Sequence, residues 1–160
     1  MNRVEFKKLC SECFIRHGFK EQNGRFYRHG QSDIFCAAEM QRSDYSEAYY
    51  INFSFLTKSE CAAAIEPYFF RRVKVKSVSM RSSIGLRFMT DMIIIADYTP
   101  EEILNYLNAA FDEWIMPTLT KGAGFVLRHK GDFIFPHIRP LVDRFTAFKN
   151  DNQKGIVNEF

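Results

Sequence analysis

A chain of 160 residues, 46% of them hydrophobic and 17 of them Phe, can bury a core without metal or disulfide staples and is too apolar to be disordered. Its net charge of +3 is too mild to announce a nucleic-acid or membrane partner. The longest apolar run, residues 92–96, cannot span a bilayer, and residues 1–8 lack the apolar stretch of a secretory signal; the expectation is a cytoplasmic protein with one domain over 1–149 and a polar tail over 150–160.

Asn2 and Glu5 have the spacing of a capping box. Phe6, Leu9, Cys10, Cys13, Phe14 and His17 then recur at helical spacing, Gly18 stops the run and Phe19 can close the last turn. The spacing predicts a helix over 4–17, with His17 as a capping residue at its negative end rather than a ligand. Asn23-Gly24 predicts a hairpin between short strands over 19–22 and 25–29, because both residues tolerate positive φ. Gly30-Gln31-Ser32 makes the next turn. A longer strand over 34–41 follows, with Ile34, Cys36, Ala38 and Met40 on one face and Phe35, Ala37, Glu39 and Gln41 on the other.

The stretch 45–56 reads as the central antiparallel strand. Tyr49, Ile51, Phe53 and Phe55 alternate with Tyr50, Asn52 and Ser54, which makes one apolar and one polar face. Burial of Ile51, Phe53 and Phe55 is worth roughly 1.5–3 kcal/mol each. Beyond it the sequence predicts a short helix over 59–65 and a strand over 71–80 with a bulge near Lys76–Ser77. A strand over 84–88, a turn at Thr90-Asp91 and a strand over 92–96 come next. Thr99-Pro100-Glu101-Glu102 is the clearest helix start, combining an N-cap threonine, proline in the first turn and acids at the positive end. Ile103, Leu104, Leu107, Phe111, Trp114 and Ile115 form its stripe, and Pro117 should kink or end it. Gly122 and Gly124 interrupt the chain before a further turn over 125–129 and a last helix over 137–148. The fold expected is α+β: an antiparallel sheet of five or six strands, begun as a meander, with the N-terminal and C-terminal helices packed mainly on one face.

Chemistry is sparse. Cys10-x-x-Cys13 has the spacing of a zinc or redox pair, but both residues fall on the apolar stripe of the first helix with no strand before them. With Cys36 and Cys61 they read as core thiols. No nucleophile elbow or phosphate loop is present, and neither a catalytic residue, a metal site nor a cofactor is predicted. His129 could face Asp132 or Glu113 in a metal or acid–base arrangement, but a single histidine among generic acids reads first as a surface residue. Asp91 and Asp97 flank one strand and are explained by turn and cap roles. Arg72, Lys74 and Lys76 share a sheet face near Tyr68, Phe69 and Phe70, a pattern that could hold single-stranded nucleic acid; with Arg71, Arg81 and Arg87 it reads first as a solvated face. The polar face of the central strand is the remaining candidate: Tyr50, Asn52 and Ser54, with Gln41 and Arg42 at the end of the neighbouring strand. If a helix covers that face, Asn52 becomes a buried, hydrogen-bonded residue instead.

Phe26-Tyr27, Gln41-Arg42-Ser43, Tyr49-Tyr50-Ile51-Asn52 and Ser83-Ile84-Gly85-Leu86 carry a resemblance, together with His17-Gly18-Phe19-Lys20 before them and the Thr99-Pro100-Glu101-Glu102 helix after. Over most of residues 3–120 the chain resembles the domain of unknown function 4304 family. The resemblance implies a bacterial-type α+β domain and carries over neither an activity nor a catalytic residue. The leading expectation is therefore a non-catalytic module that binds a protein partner or a ligand; by analogy of size and class it could neutralise a partner in a bacterial conflict system. The alternatives are nucleic-acid binding through Arg72, Lys74 and Lys76, and a small enzyme using acids near Asp91 and Asp97.

Overall fold

The computed structural model describes residues 1–31, 34–57, 68–77 and 89–134. The helices expected over 59–65 and 137–148, the strand over 84–88, the end of the strand over 71–80 beyond residue 77, and the tail over 150–160 lie outside them. So do Cys61, Arg81 and Arg87. The interruption expected as a bulge near Lys76–Ser77 falls earlier, at Val73–Lys74, between strands over Tyr68–Arg72 and Val75–Lys76.

The first helix, α1 (Arg3–Arg16), is chemically closed at both ends. Asn2 Oδ1 accepts from the Val4 and Glu5 N–H groups at 2.9 and 3.0 Å, and Glu5 accepts from Asn2 N–H at 2.8 Å, a capping box. At the other end Gly18 takes φ +79°. Its N–H donates to Ile15 at 2.9 Å and that of Phe19 to Phe14 at 3.0 Å, with the Phe14 and Phe19 rings 6.2 Å apart. Such a left-handed closure satisfies the last carbonyls. The guanidinium of Arg28 reaches over from the sheet to donate to the His17 carbonyl.

Asn23 and Gly24, at φ 53° and 74°, turn β1 (Lys20–Gln22) into β2 (Arg25–His29). β3 (Ile34–Arg42), β4 (Ala48–Thr57) and β5 (Tyr68–Arg72) follow, all antiparallel, in the spatial order β1-β2-β3-β4-β5. β4 begins at Ala48 rather than Tyr45. Ser43 N–H donates to the Ala48 carbonyl at 2.9 Å and Arg42 pairs with Glu47 at 2.7 Å, which closes 43–47 as a hairpin loop and leaves Tyr45 99% exposed.

The outer edge of β4 serves two strands. β5 starts earlier than residue 71, keeps a last bond to β4 from Val73 N–H to the Ile51 carbonyl at 3.0 Å, and resumes as β6 (Val75–Lys76) against β7 (Met89–Thr90). β8 (Ile93–Ile94) takes the remaining stretch, Ile93 opposite Tyr49 and Ile94 opposite Ala48. The run 92–96 therefore pairs over two residues rather than five: β4 offers nothing before Ala48. Ile95–Asp97 turns as a 3-10 helix instead, and Tyr98 donates its hydroxyl to the Lys76 carbonyl at 2.9 Å.

α2 (Pro100–Ala110) starts on the expected N-cap threonine, and Glu102 completes a capping box there, with Thr99 N–H donating to Glu102 at 2.9 Å and Glu102 N–H to Thr99 Oγ1 at 3.2 Å. Pro117 does not end the helix. Phe111–Ile115 forms a π-helical turn, and α3 (Met116–Lys121) continues from it. Proline has no N–H for the carbonyl four residues back and its ring crowds that carbonyl; widening the preceding turn is one way to absorb both. α4 (Ala123–Arg128) and a 3-10 turn over Lys130–Asp132 complete the described chain. The helices deliver Phe14, Phe111 and Trp114 to one side of the sheet, where each packs edge-on against Phe53 at 5.5–5.6 Å. Tyr49, Ile51, Phe53, Phe55, Cys36 and Ala38 are all buried there, as their alternation predicts.

Candidate binding surface

The opposite side of the sheet carries the candidate residues, and register decides which of them meet. Gln41 lies opposite Tyr50, Glu39 opposite Asn52, Ala37 opposite Ser54. On the other edge of β4, Asn52 faces Arg72 and Ser54 faces Phe70. Asn52 is only 6% exposed. Its Nδ2 donates to Gln41 Oε1 at 3.0 Å and to Glu39 Oε1 at 3.3 Å, while its Oδ1 accepts from Arg72 Nε at 3.0 Å. Burial of this amide is thus achieved by neighbouring side chains across three strands, and its donors and acceptor are met.

Arg72 is the hub. Besides Asn52 it donates to Asp91 Oδ2 at 2.9 Å, and its guanidinium sits 4.5 Å over the Tyr50 ring and 5.9 Å from that of Phe70. A guanidinium held by a planar fork and an aromatic face has little rotamer freedom left. Arg72 comes from the point where β5 leaves β4, and Asp91 from just before β8 enters. The ion pair therefore pins together the two strands that share one edge. Glu39 extends the chain of contacts to Arg25 at 4.0 Å.

Of the five residues singled out from sequence, Gln41, Tyr50, Asn52 and Ser54 share this face. Arg42 does not: it is the register partner of Tyr49, follows the inward alternation of Ala38 and Met40, and holds Glu47 at the hairpin. The basic set is divided as well. Lys74 and Lys76 are exposed, but Arg72 is paired with Asp91. Of the rings expected beside them, Phe69 is buried and stacked on Phe55 at 5.1 Å. Arg71 points to the core side, over Trp114 at 4.8 Å and with Asp132 at 3.9 Å. Burial lowers its pKa, against the opposing pull of Asp132 and Glu113.

The acids proposed for catalysis are separated in role. Asp91 serves Arg72, and Asp97 is the last residue of the 3-10 turn after β8. A polar cleft of about 370 Å³ lies between α1 and the β1–β2 hairpin, where Lys7, Glu21, Arg25 and Glu39 line it; neither Asp91 nor Asp97 does. His129 meets Asp132 at 3.6 Å on the surface. Cys10, Cys13 and Cys36 are free and buried. Burial pushes all three thiols up, Cys36 most plainly, with Arg28 and Arg16 only partly opposing at Cys36 and Cys13. That favours the neutral thiol over the thiolate that zinc or redox chemistry needs. His17 caps α1 as expected, Nδ1 donating to the Cys13 carbonyl at 2.9 Å, and its ring lies flat on Phe111 at 3.7 Å.

Sequence reasoning missed Arg72, Glu39 and Asp91 as one network with Asn52. The only signal was a polar residue at each strand's outward positions. Joining them required the register and the shared edge. The described residues contain no helix long and apolar enough to cross a membrane. A family model described as a domain of unknown function (DUF4304) matches residues 10–121. No curated protein and no solved structure matches the chain.

Proposed function

The chain belongs to the DUF4304 family, a domain of unknown function, and on that premise we propose that it is a non-catalytic binding module engaging a protein partner at the hairpin end of the outward sheet face, around Gln41 and Tyr50. The observation that carries this reading is the clamp on Arg72. Asn52, Asp91 and the Tyr50 ring hold one guanidinium from three directions, so Tyr50 and Gln41 are presented without the ordering cost that loose side chains would add on association. Tyr and Arg are the residue types on which interface energy concentrates. The carboxylates here are engaged with cations and an amide, an arrangement that supports shape rather than proton transfer. The buried thiols of Cys10, Cys13 and Cys36 fit a reducing, cytoplasmic setting.

Affinity capture with the full chain, followed by titration of the purified partner, tests this. Wild type and Lys74→Ala should retain the same protein, and Tyr50→Ala and Gln41→Arg should weaken it at least about tenfold, the scale of an interface hot spot. Equal binding by Tyr50→Ala, or saturable turnover of a small molecule by the wild type, would remove the proposal.

A further inference from the structure

β5 ends the described path of the main sheet, yet its outer edge is engaged. Phe70 N–H donates to the Ile134 carbonyl at 2.9 Å and Ile134 N–H donates to the Phe70 carbonyl at 2.8 Å, an antiparallel bridge on the side away from β4. The residue before it, Phe133, is buried. Its ring meets Phe69 at 5.3 Å, Phe55 at 6.1 Å and Trp114 at 6.4 Å, each edge-on. Arg71 lies over both Trp114 and Phe133, at 4.8 and 5.7 Å, and faces the Asp132 carboxylate at 3.9 Å. Three consecutive residues thus meet β5 with a charge contact, a ring in a slot and two backbone hydrogen bonds. All three lie beyond residues 10–121, where the family match ends.

Strand addition draws its hydrogen bonds from the backbone and its selectivity from side-chain pockets. The backbone bridge, the ring contacts and the Arg71 ion pair are made by residues 132–134 themselves, with Asp132 delivered by the 3-10 turn that it ends. Ile134 and Asp132 are themselves exposed, and Gly131 has open space around its Cα. We propose that the β5 edge is a strand-addition site for an extended peptide carrying an acidic residue followed by an aromatic one, and that Asp132-Phe133-Ile134 occupies it in cis until such a peptide displaces it. The segment is a template for its own competitor: the carboxylate answers Arg71, the ring fills the slot beside Phe69 and Trp114, and the next residue bridges Phe70. This site is separate from the Arg72 network and does not rest on it.

The test uses the full chain and a fluorescein-labelled peptide of its own residues 130–135, Lys-Gly-Asp-Phe-Ile-Phe, followed by anisotropy. A segment tethered in cis competes at an effective concentration in the millimolar range, so wild type should bind the peptide weakly. Phe133→Ala, which empties the slot, should bind it at least tenfold more tightly. Replacing the peptide's Asp by Asn or its first Phe by Ala should undo that gain, and in Phe133→Ala/Arg71→Ala the Asp and Asn peptides should bind alike. Ile134→Pro removes one bridging N–H while leaving the ring in place, and should give a smaller, severalfold gain. No gain in either variant while circular dichroism shows it folded would overturn the proposal. So would undiminished preference for Asp without Arg71. Failure of both variants to fold would overturn it equally, by making the segment a fixed part of the core.

Discussion

Phe53→Ala is the sharpest test of how this fold is held. Phe53 has no exposed surface and is met edge-on by four rings: Phe14 at 5.5 Å, Phe19 at 5.9 Å, and Phe111 and Trp114 at 5.6 Å. Truncation of a buried Phe costs about 3–5 kcal/mol, more where the surroundings cannot collapse. Collapse is poor here, because the cavity is bounded by a sheet on one side and by α1 and the π turn on the other. The ring pairs lost with it are part of that total, and with four of them the upper part of the range, about 4–5 kcal/mol, is expected. With an m value of about 2 kcal/mol/M in urea, the midpoint should fall by about 2 M. Far-UV circular dichroism is the proper probe, since Trp114 touches the mutated side chain and its fluorescence baseline would change with it. Phe53→Leu should lose only about 1–2 kcal/mol, and Lys74→Ala, exposed in the break between β5 and β6, less than about 0.5 kcal/mol. A loss below about 1 kcal/mol for Phe53→Ala would refute the assignment of this ring as the centre of the core.

Gly30→Ala should destabilise by about 1–3 kcal/mol, because its Cβ would stand 2.5 Å from the Leu119 carbonyl oxygen and 3.1 Å from that of Ile34, displacing two backbone hydrogen bonds worth about 0.5–1.5 kcal/mol each: Gly30 N–H to Ile34 and Gln31 N–H to Leu119. Gly24→Ala meets nothing within 4 Å and should cost only the left-handed backbone, about 1–2 kcal/mol; equal urea midpoints for the two would contradict the docking of this loop onto α3. The Tyr49 hydroxyl is buried with no hydrogen-bond partner among the described residues, so Tyr49→Phe should raise stability by about 1 kcal/mol, and a fall in melting temperature would show the hydroxyl is bonded. Stability should also decline on the alkaline side. Cys10, Cys13 and Cys36 have folded-state pKa values raised by burial. Their contribution is full below the unfolded thiol value of about 8.5 and is lost as pH rises above it, by up to about 1.4 kcal/mol per pH unit for each thiol. Melting curves in reductant at pH 7, 9 and 10 should show the decline, and Cys36→Ala should flatten it; an unchanged slope would disprove the linkage.

What local chemistry could specify was legible. Asn2 with Glu5, Thr99 with Glu102, Gly18 and Asn23-Gly24 act within a few residues of themselves, and each forms the cap or turn its residue types predict. The inward face of β4 was equally legible, since alternation assigns faces without reference to any partner. Less was readable at the candidate surface. Alternation groups Gln41, Tyr50, Asn52 and Ser54 as one face but places Arg42 on the other, and nothing local separates Arg72, which Asn52 and Asp91 hold, from the exposed Lys74 and Lys76.

The sequence by itself determined which segments are helix or strand around β4 and which side chains turn inward, because capping bonds and side-chain period are properties of neighbouring residues. Only the tertiary structure decided that one edge of β4 is divided between β5 and β8, that Arg72 is held by Asn52 and Asp91 at that division, and that Ile134 returns to bridge Phe70. Backbone edges carry the same N–H and C=O groups whatever the residue, so which strand pairs with which, and where it stops, is settled by long-range packing.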